Sequence, residues 1–267
     1  MLSVLVQALR ENRTGAMAVA LALFGFNLLI VYTFSSFGGL SGLNQMLELL
    51  PAAMRAFLKA QGGFATDAAG YMATQYRHPI FLVATAGLAI AAGAGMAAKE
   101  IERGSALLVL SAPIARWRYL AARMGATAIS LAGVLAVAVA GTWLGAALTG
   151  TVGELSHVVF LKIWLMAWLI TLSVAGVAAL ASARGSDGGQ AIAIPAGFAV
   201  ASFFLDFLAA LWSTAEPFGL LSVYHYYDPL SVVQAGVSLR DAGVLTGVAL
   251  VTHLAALALF QRRDIRR

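Results

Sequence analysis

The 267-residue chain contains no cysteine, so disulfides and thiolate-ligated metals play no part in its stability or chemistry. Charge is scarce as well: 11% of residues are Asp, Glu, Lys or Arg against 61% hydrophobic, and the mean hydropathy is +0.86. A water-soluble domain needs a far more polar surface. Two catalytic signatures are also missing. The absence of GxxxxGK[S/T] excludes a P-loop nucleotide site in this chain, and the absence of HExxH leaves a zinc protease unsupported.

What the chain has is apolar length. A helix needs about 20 apolar residues to cross a bilayer. Six runs qualify: 16–36, 79–97, 124–149, 158–183, 190–213 and 242–260. In hydrocarbon the backbone must satisfy its own hydrogen bonds, and continuous apolar runs favour helices over a barrel. The expectation is an all-α integral membrane protein, a single transmembrane domain over residues 1–267. The first run lacks a small-residue cleavage site after it and reads as a retained span instead of a secretory signal.

Lys and Arg collect on the cytoplasmic side of membrane proteins. With the N-terminus inside, Arg10, Arg13, Lys99, Arg103, Arg116, Arg118, Arg123, Arg184, Arg262, Arg263, Arg266 and Arg267 fall on or near that side, twelve of the seventeen basic residues. Only Glu11, Glu100, Glu102, Asp187 and Asp264 oppose them. This places both termini in the cytoplasm and the chain in a cell membrane, with a bacterial inner or plasma membrane expected. The net charge of +5 is then a topology signal directed at anionic lipid, not at nucleic acid.

Between the spans, residues 1–13 carry Leu2, Leu5 and Leu9 opposite Gln7, Arg10 and Arg13, which suits a helix along the inner surface. A flanking charged tail is the plainer alternative. Residues 37–78 place Leu43, Met46, Leu47, Leu50, Met54, Phe57 and Leu58 on one stripe that Pro51 divides or bends. The sequence RGSDGG at 184–189 predicts a tight inner turn. The outer stretch 214–241 holds Pro217, Pro229 and a cluster of Tyr224, Tyr226 and Tyr227, which predicts a re-entrant or interfacial hairpin, with a plain aromatic belt as the alternative. Gly141 and Gly145 make a small-xxx-small pair, suited to close packing within the subunit or to a dimer seam.

Two ionisable residues lie inside spans, where charge is costly and faces a pathway or a partner helix. Asp206 is in the outer half of the fifth span and His253 is near the middle of the sixth. Each is a candidate for the substrate pathway or for interhelical pairing. Gly39-Leu40-Ser41-Gly42 spells the GxSG of rhomboid-like intramembrane serine proteases, with His253 as the conceivable base. A glycine-rich turn explains that motif more simply.

The most distinctive segment is 98–123, a charged island between hydrophobic spans. Glu100, Glu102 and Arg103 precede Gly104; Leu107 and Leu108 give an apolar side; Pro113 breaks the run before Arg116, Arg118 and Arg123. A short protruding helix of this kind docks in a groove of another protein, the apolar residues giving area and the charges register. A membrane-surface loop is the alternative on these grounds alone.

That run resembles the signature of ABC-2 type permeases, the membrane subunits of a class of ABC transporters. The matching positions are Glu100, Glu102, Gly104, Ser105, Leu107, Leu108, Pro113, Arg116 and Arg123, with Ser105 in place of the usual threonine and Arg123 in place of the usual lysine. The ending FQRRDIRR resembles the family's Arg-Asp finish at Arg263 and Asp264. The resemblance implies six spans, an N-terminal surface helix and a cytoplasmic coupling helix. It also implies two permease copies, or one copy with a close relative, served by two cytoplasmic ATP-binding subunits. ATP and Mg would reside in those subunits, and this chain would hold no cofactor and catalyse nothing itself. Docking would use Glu100, Glu102, Arg103, Gly104, Ser105, Leu107, Leu108, Pro113 and Arg116, with Arg184 and Asp187 as secondary contacts. Cargo would move outward between the copies, and few buried charges suit a hydrophobic or amphiphilic drug, antibiotic or lipid. A subunit that transmits force to an outside partner would use the same coupling segment.

Overall fold

The computed structural model describes residues 1–55, 65, 67–98, 115–185 and 187–262, with the backbone alone at 43, 44, 46 and 47. In chain order the helices are α1 (Leu2–Ser36), α2 (Gly39–Glu48), α3 (Ala68–Thr74), α4 (Pro79–Ala94), α5 (Arg116–Thr149), α6 (His157–Arg184), α7 (Gly188–Leu211), α8 (Glu216–Gly219), α9 (Pro229–Ala235) and α10 (Leu239–Arg262). Five of them, α1, α5, α6, α7 and α10, are long and apolar enough to cross a membrane alone. Each predicted apolar run falls within or largely within one helix, and the chain is an all-α integral membrane protein. Arg10, Arg123 and Arg184 lie at one end of the bundle, the inner end, and the α8 to α9 segment at the other, the outer end.

The second span is the exception, and its sequence explains it. At 1.5 Å per residue, the 16 residues of α4 reach only about 24 Å, short of a hydrocarbon core of about 30 Å. Ala68–Arg77 meets α4 at a 44° bend, and the two together are long and apolar enough to cross. Pro79 sits in the first turn of α4, where its missing N–H costs nothing, and forces His78 before it into an extended conformation. The His78 ring then accepts from the Ile80 N–H at 3.2 Å and caps the new helix. Arg77 is thereby stranded at the break.

In lipid the drive for helix association is close packing and interhelical hydrogen bonding, because hydrocarbon is as apolar as the helices. Helix α6 is the hub: 61% of its span is buried inside the protein, against 22% for α7 and for α10. Gly93 of α4 lies so close to Ala178 of α6 that a Cβ would not fit, and Gly176 of α6 does the same against Thr252 and His253 of α10. The indoles of Trp164 and Trp168 donate to the Ala132 and Ala128 carbonyls of α5 at 3.0 and 2.9 Å. The Ser173 hydroxyl donates to Leu245 of α10 at 3.0 Å.

Helices α1 and α5 run parallel. Gly141 faces the Phe24 backbone and Gly145 faces Val31, and the Asn27 side chain between them donates to the Ala138 carbonyl at 2.8 Å. The small-xxx-small pair is therefore a seam within the subunit. Helix α5 stops at Gly150, whose φ of +76° is a left-handed cap that suits glycine.

One expectation is modified. Residues 1–13 do not form a separate surface helix: α1 is one continuous helix of 35 residues that runs on through Thr14 and Gly15. The outer stretch is not an exposed aromatic belt, the alternative to the capping hairpin. Tyr224, Tyr226 and Tyr227 are buried, and the segment α8 to α9 packs as a cap on the bundle. Its anchors are a 2.6 Å bond from the Ser222 hydroxyl to the Ser202 carbonyl of α7 and a 3.0 Å bond from the Tyr227 hydroxyl to the Tyr76 carbonyl.

Candidate functional site

Three features along one line of the bundle form the candidate site: an outer charged node, an apolar groove and an inner joint. The outer node is built on the break in the second span. Arg77 Nη2 lies 2.7 Å from Asp206 Oδ2, and the two side chains are only 16% and 14% exposed. Arg77 Nη1 donates to the Tyr227 carbonyl at 2.8 Å and lies 3.7 Å from Asp228 Oδ1. His225 Nδ1 stands 3.9 Å from the other oxygen of Asp206. Asp228 also caps α9 by accepting from the Leu230 N–H at 3.1 Å. Around this node burial pushes the Tyr224 phenol up to about 12. Tyr227 is held well above its ordinary value by burial and by its neighbour Tyr76, with the Arg77 charge opposing. Both phenols are neutral at physiological pH, and that of Tyr227 donates to the Tyr76 carbonyl.

Asp206, one of the two intramembrane candidates, is thus paired with a cation, and it lines the small cavity between Arg77, Phe203, Phe207 and Tyr224. His253 is not brought to the same place. Its Nδ1 is bonded to the Ala249 carbonyl at 2.7 Å and its ring lies against Gly176 of α6, which makes it a packing residue of the α6–α10 contact. Ser41 donates to the Gly38 carbonyl at 2.9 Å and is exposed. Among the described residues no hydrogen bond joins it to His253, so no nucleophile–base pair forms. Arg77 and its role were missed in the sequence. The available signal was a lone arginine directly before His-Pro at the outer mouth of a span, at the depth of an aspartate in another span.

The groove lies between α4 and α7, with a volume of about 360 Å³. Leu82, Val83, Ala86 and Ile90 form one wall, Ala199, Val200, Phe203 and Phe204 the other, and Tyr224 stands at its outer end beside the charged node. Its lining is apolar, and the volume is in the range of small-molecule sites. A groove of equal volume between α5 and α6 is lined by Trp143, Phe160 and Trp164, with His157 stacked on Trp143 at 4.0 Å.

The inner joint lies where α4 ends. Gly95 to Ala98 turn out of the helix toward residues 99–114. Glu100, Glu102, Arg103, Gly104, Ser105, Leu107, Leu108 and Pro113 lie outside the described residues. Arg116 opens α5. Arg184 ends α6 and is exposed, and Asp187 caps α7 by accepting from the Gly189 and Gln190 N–H groups at 2.6 and 3.3 Å. Arg123 is buried and binds the Gly95 carbonyl at 3.0 Å and Glu11 of α1 at 3.1 Å.

No curated protein and no solved structure matches the chain. A family model does: the one described as ABC-2 family transporter protein matches residues 5–265, nearly the whole length. Together with the spans, that match identifies the chain as a member of the ABC-2 family, a multi-pass permease subunit of an ABC transporter.

Proposed function

We propose that the chain is the membrane half of an exporter that moves a hydrophobic or amphiphilic cargo outward, driven by cytoplasmic ATP-binding subunits. The carrying observation is the α4–α7 groove: it is apolar along its length, meets charge only at its outer mouth, and has as one wall the helix that runs directly toward residues 99–114. Two permease copies bring two such grooves together, and the cargo passes between them. Two ATPase subunits dock on the 100–116 segment, with Arg184 and Asp187 at the edge of the contact, and hold the ATP and Mg. The inner end and both termini face the cytoplasm. The α5–α6 groove is also walled by a helix that leaves the docking segment, α5 from Arg116, but it does not reach the node of Arg77 and Asp206 and is the poorer pathway on that ground.

The reading is tested in proteoliposomes containing the permease and its ATPase, with ATP-dependent movement of a hydrophobic fluorescent dye as the measurement. Filling the groove with Ala199→Trp removes transport while ATPase association persists. Complexes that lack residues 100–113 yet still bind the ATPase and couple its hydrolysis to transport would overturn the docking assignment.

A further inference from the structure

We propose that Ser182 of α6 and Arg123 of α5 are positioning residues that hold the Gly95–Ala98 turn, so that displacement of the following segment is delivered to α6 and, through Glu11, to α1, and not only to α4 and α5, the two helices the segment joins. The inference rests on the reading of 99–114 as the ATPase-driven segment.

The Ser182 hydroxyl has one proton to give and two lone pairs to fill. It donates to the Ala94 carbonyl at 3.2 Å, and accepts from the N–H groups of Ala97 at 3.0 Å and Ala98 at 2.9 Å. Every bond goes to the last turn of α4 or to the turn that leaves it. A serine near the end of a helix ordinarily bonds back to its own carbonyl four residues earlier. Here it serves the neighbouring strand of chain instead. Ser182, Ala94 and Ala98 are each 0% exposed, so water cannot replace these bonds. One turn away on the same face of α6, Ala178 bears on Gly93 with no room for a Cβ. The turn is therefore locked to α6 by contact above and by hydrogen bonds below.

From the opposite side Arg123 Nη2 binds the Gly95 carbonyl and Glu11 Oε2, and Nη1 donates to the Tyr119 hydroxyl at 3.2 Å. Four helices meet at four residues of backbone. Pulling the turn away from α6 would leave two buried N–H groups without acceptors, so turn and helix move together. Because α6 is the hub of the bundle, whatever moves it moves α4, α7 and α10.

The chain has no cysteine, so Leu161→Cys, at an exposed site near the outer end of α6, gives a single thiol for a nitroxide label. In the complete complex with its ATPase, trapping with ATP and vanadate should change the label's spectrum. Ser182→Ala should reduce that change about fivefold while ATPase association is retained, and Ser182→Thr, which keeps the hydroxyl, should restore most of it. Where Ser182→Ala lowers the folded yield, Glu11→Gln, which loosens only the exposed side of the Arg123 contact, should reduce the change about twofold. An unmutated chain that binds no ATPase overturns the permease reading. An ATPase that binds but moves nothing at residue 161, or a full response in Ser182→Ala or in its Glu11→Gln substitute, overturns the positioning role.

Discussion

The two ends of the bundle are joined by different chemistry. At the outer end Arg77, Asp206 and Asp228 bring ionised groups from three elements into a mostly buried node beneath a cap of neutral tyrosines. At the inner end a single neutral hydroxyl serves three backbone groups, with Arg123 opposite it. Removing one partner of a buried ion pair costs about 3–5 kcal/mol, whereas orphaning a buried neutral donor costs about 1–3 kcal/mol. The Arg77–Asp206 pair is therefore costlier to break than any one of the Ser182 bonds.

The largest effect should come from breaking the outer pair. Asp206→Ala leaves Arg77 only the Tyr227 carbonyl and the longer 3.7 Å contact with Asp228, and is expected to destabilise the protein by up to about 3–5 kcal/mol, read as a lower midpoint of thermal unfolding in detergent. Arg77→Met combined with Asp206→Leu should recover much of that loss. A full loss in the double variant would mean that shape, not charge, holds the outer end.

Next in size is overpacking beside the inner joint. Gly93→Ala puts a methyl into the Ala178 contact and should cost about 1–3 kcal/mol, with folded yield as the measure. A neutral result would show that α4 and α6 separate more easily than their packing implies.

Alkaline pH tests the cap. The Tyr224 phenol, raised to about 12, is protonated in the folded state where an unfolded tyrosine ionises near 10. Its contribution to stability is complete below about pH 10 and is lost as pH rises through about 12. Tyrosinate absorbance should show Tyr224 and Tyr227 among the tyrosines that fail to ionise with the exposed ones, and Tyr224→Phe should shallow the alkaline loss of stability.

The smallest effect belongs to Asp187→Ala, which removes the cap of α7 and should cost about 1 kcal/mol. A much larger loss of coupled hydrolysis at unchanged stability would instead mark Asp187 as an ATPase contact.

The spans were legible because lipid makes one demand, length of apolar chain, and the sequence states it directly. The break at Pro79 was legible in principle from the same residue type that interrupts any helix. The long α1 was not, because Arg10, Glu11 and Arg13 read as polar enough for a surface helix while nothing in their backbone preferences ends one. The depth of Asp206 announced that it needed a partner. Which partner was hidden, because Arg77 lies 129 residues away and only the packing of the outer cap brings it near. Ser182 was the least visible of all. A serine at the end of a span looks like ordinary polar fringe until α4 is seen to end against it.

The parallel pairing of α1 and α5 has a consequence for reach. At 1.5 Å per residue their 35 and 34 residues make rods of about 52 and 51 Å, longer than a bilayer of about 40–45 Å with its headgroups. Stitched together by Gly141, Gly145, Asn27 and the Glu11–Arg123 pair, they form a stiff double mast. A push on its foot at the inner end is felt at its head, because a continuous helix has no joint at which to absorb it.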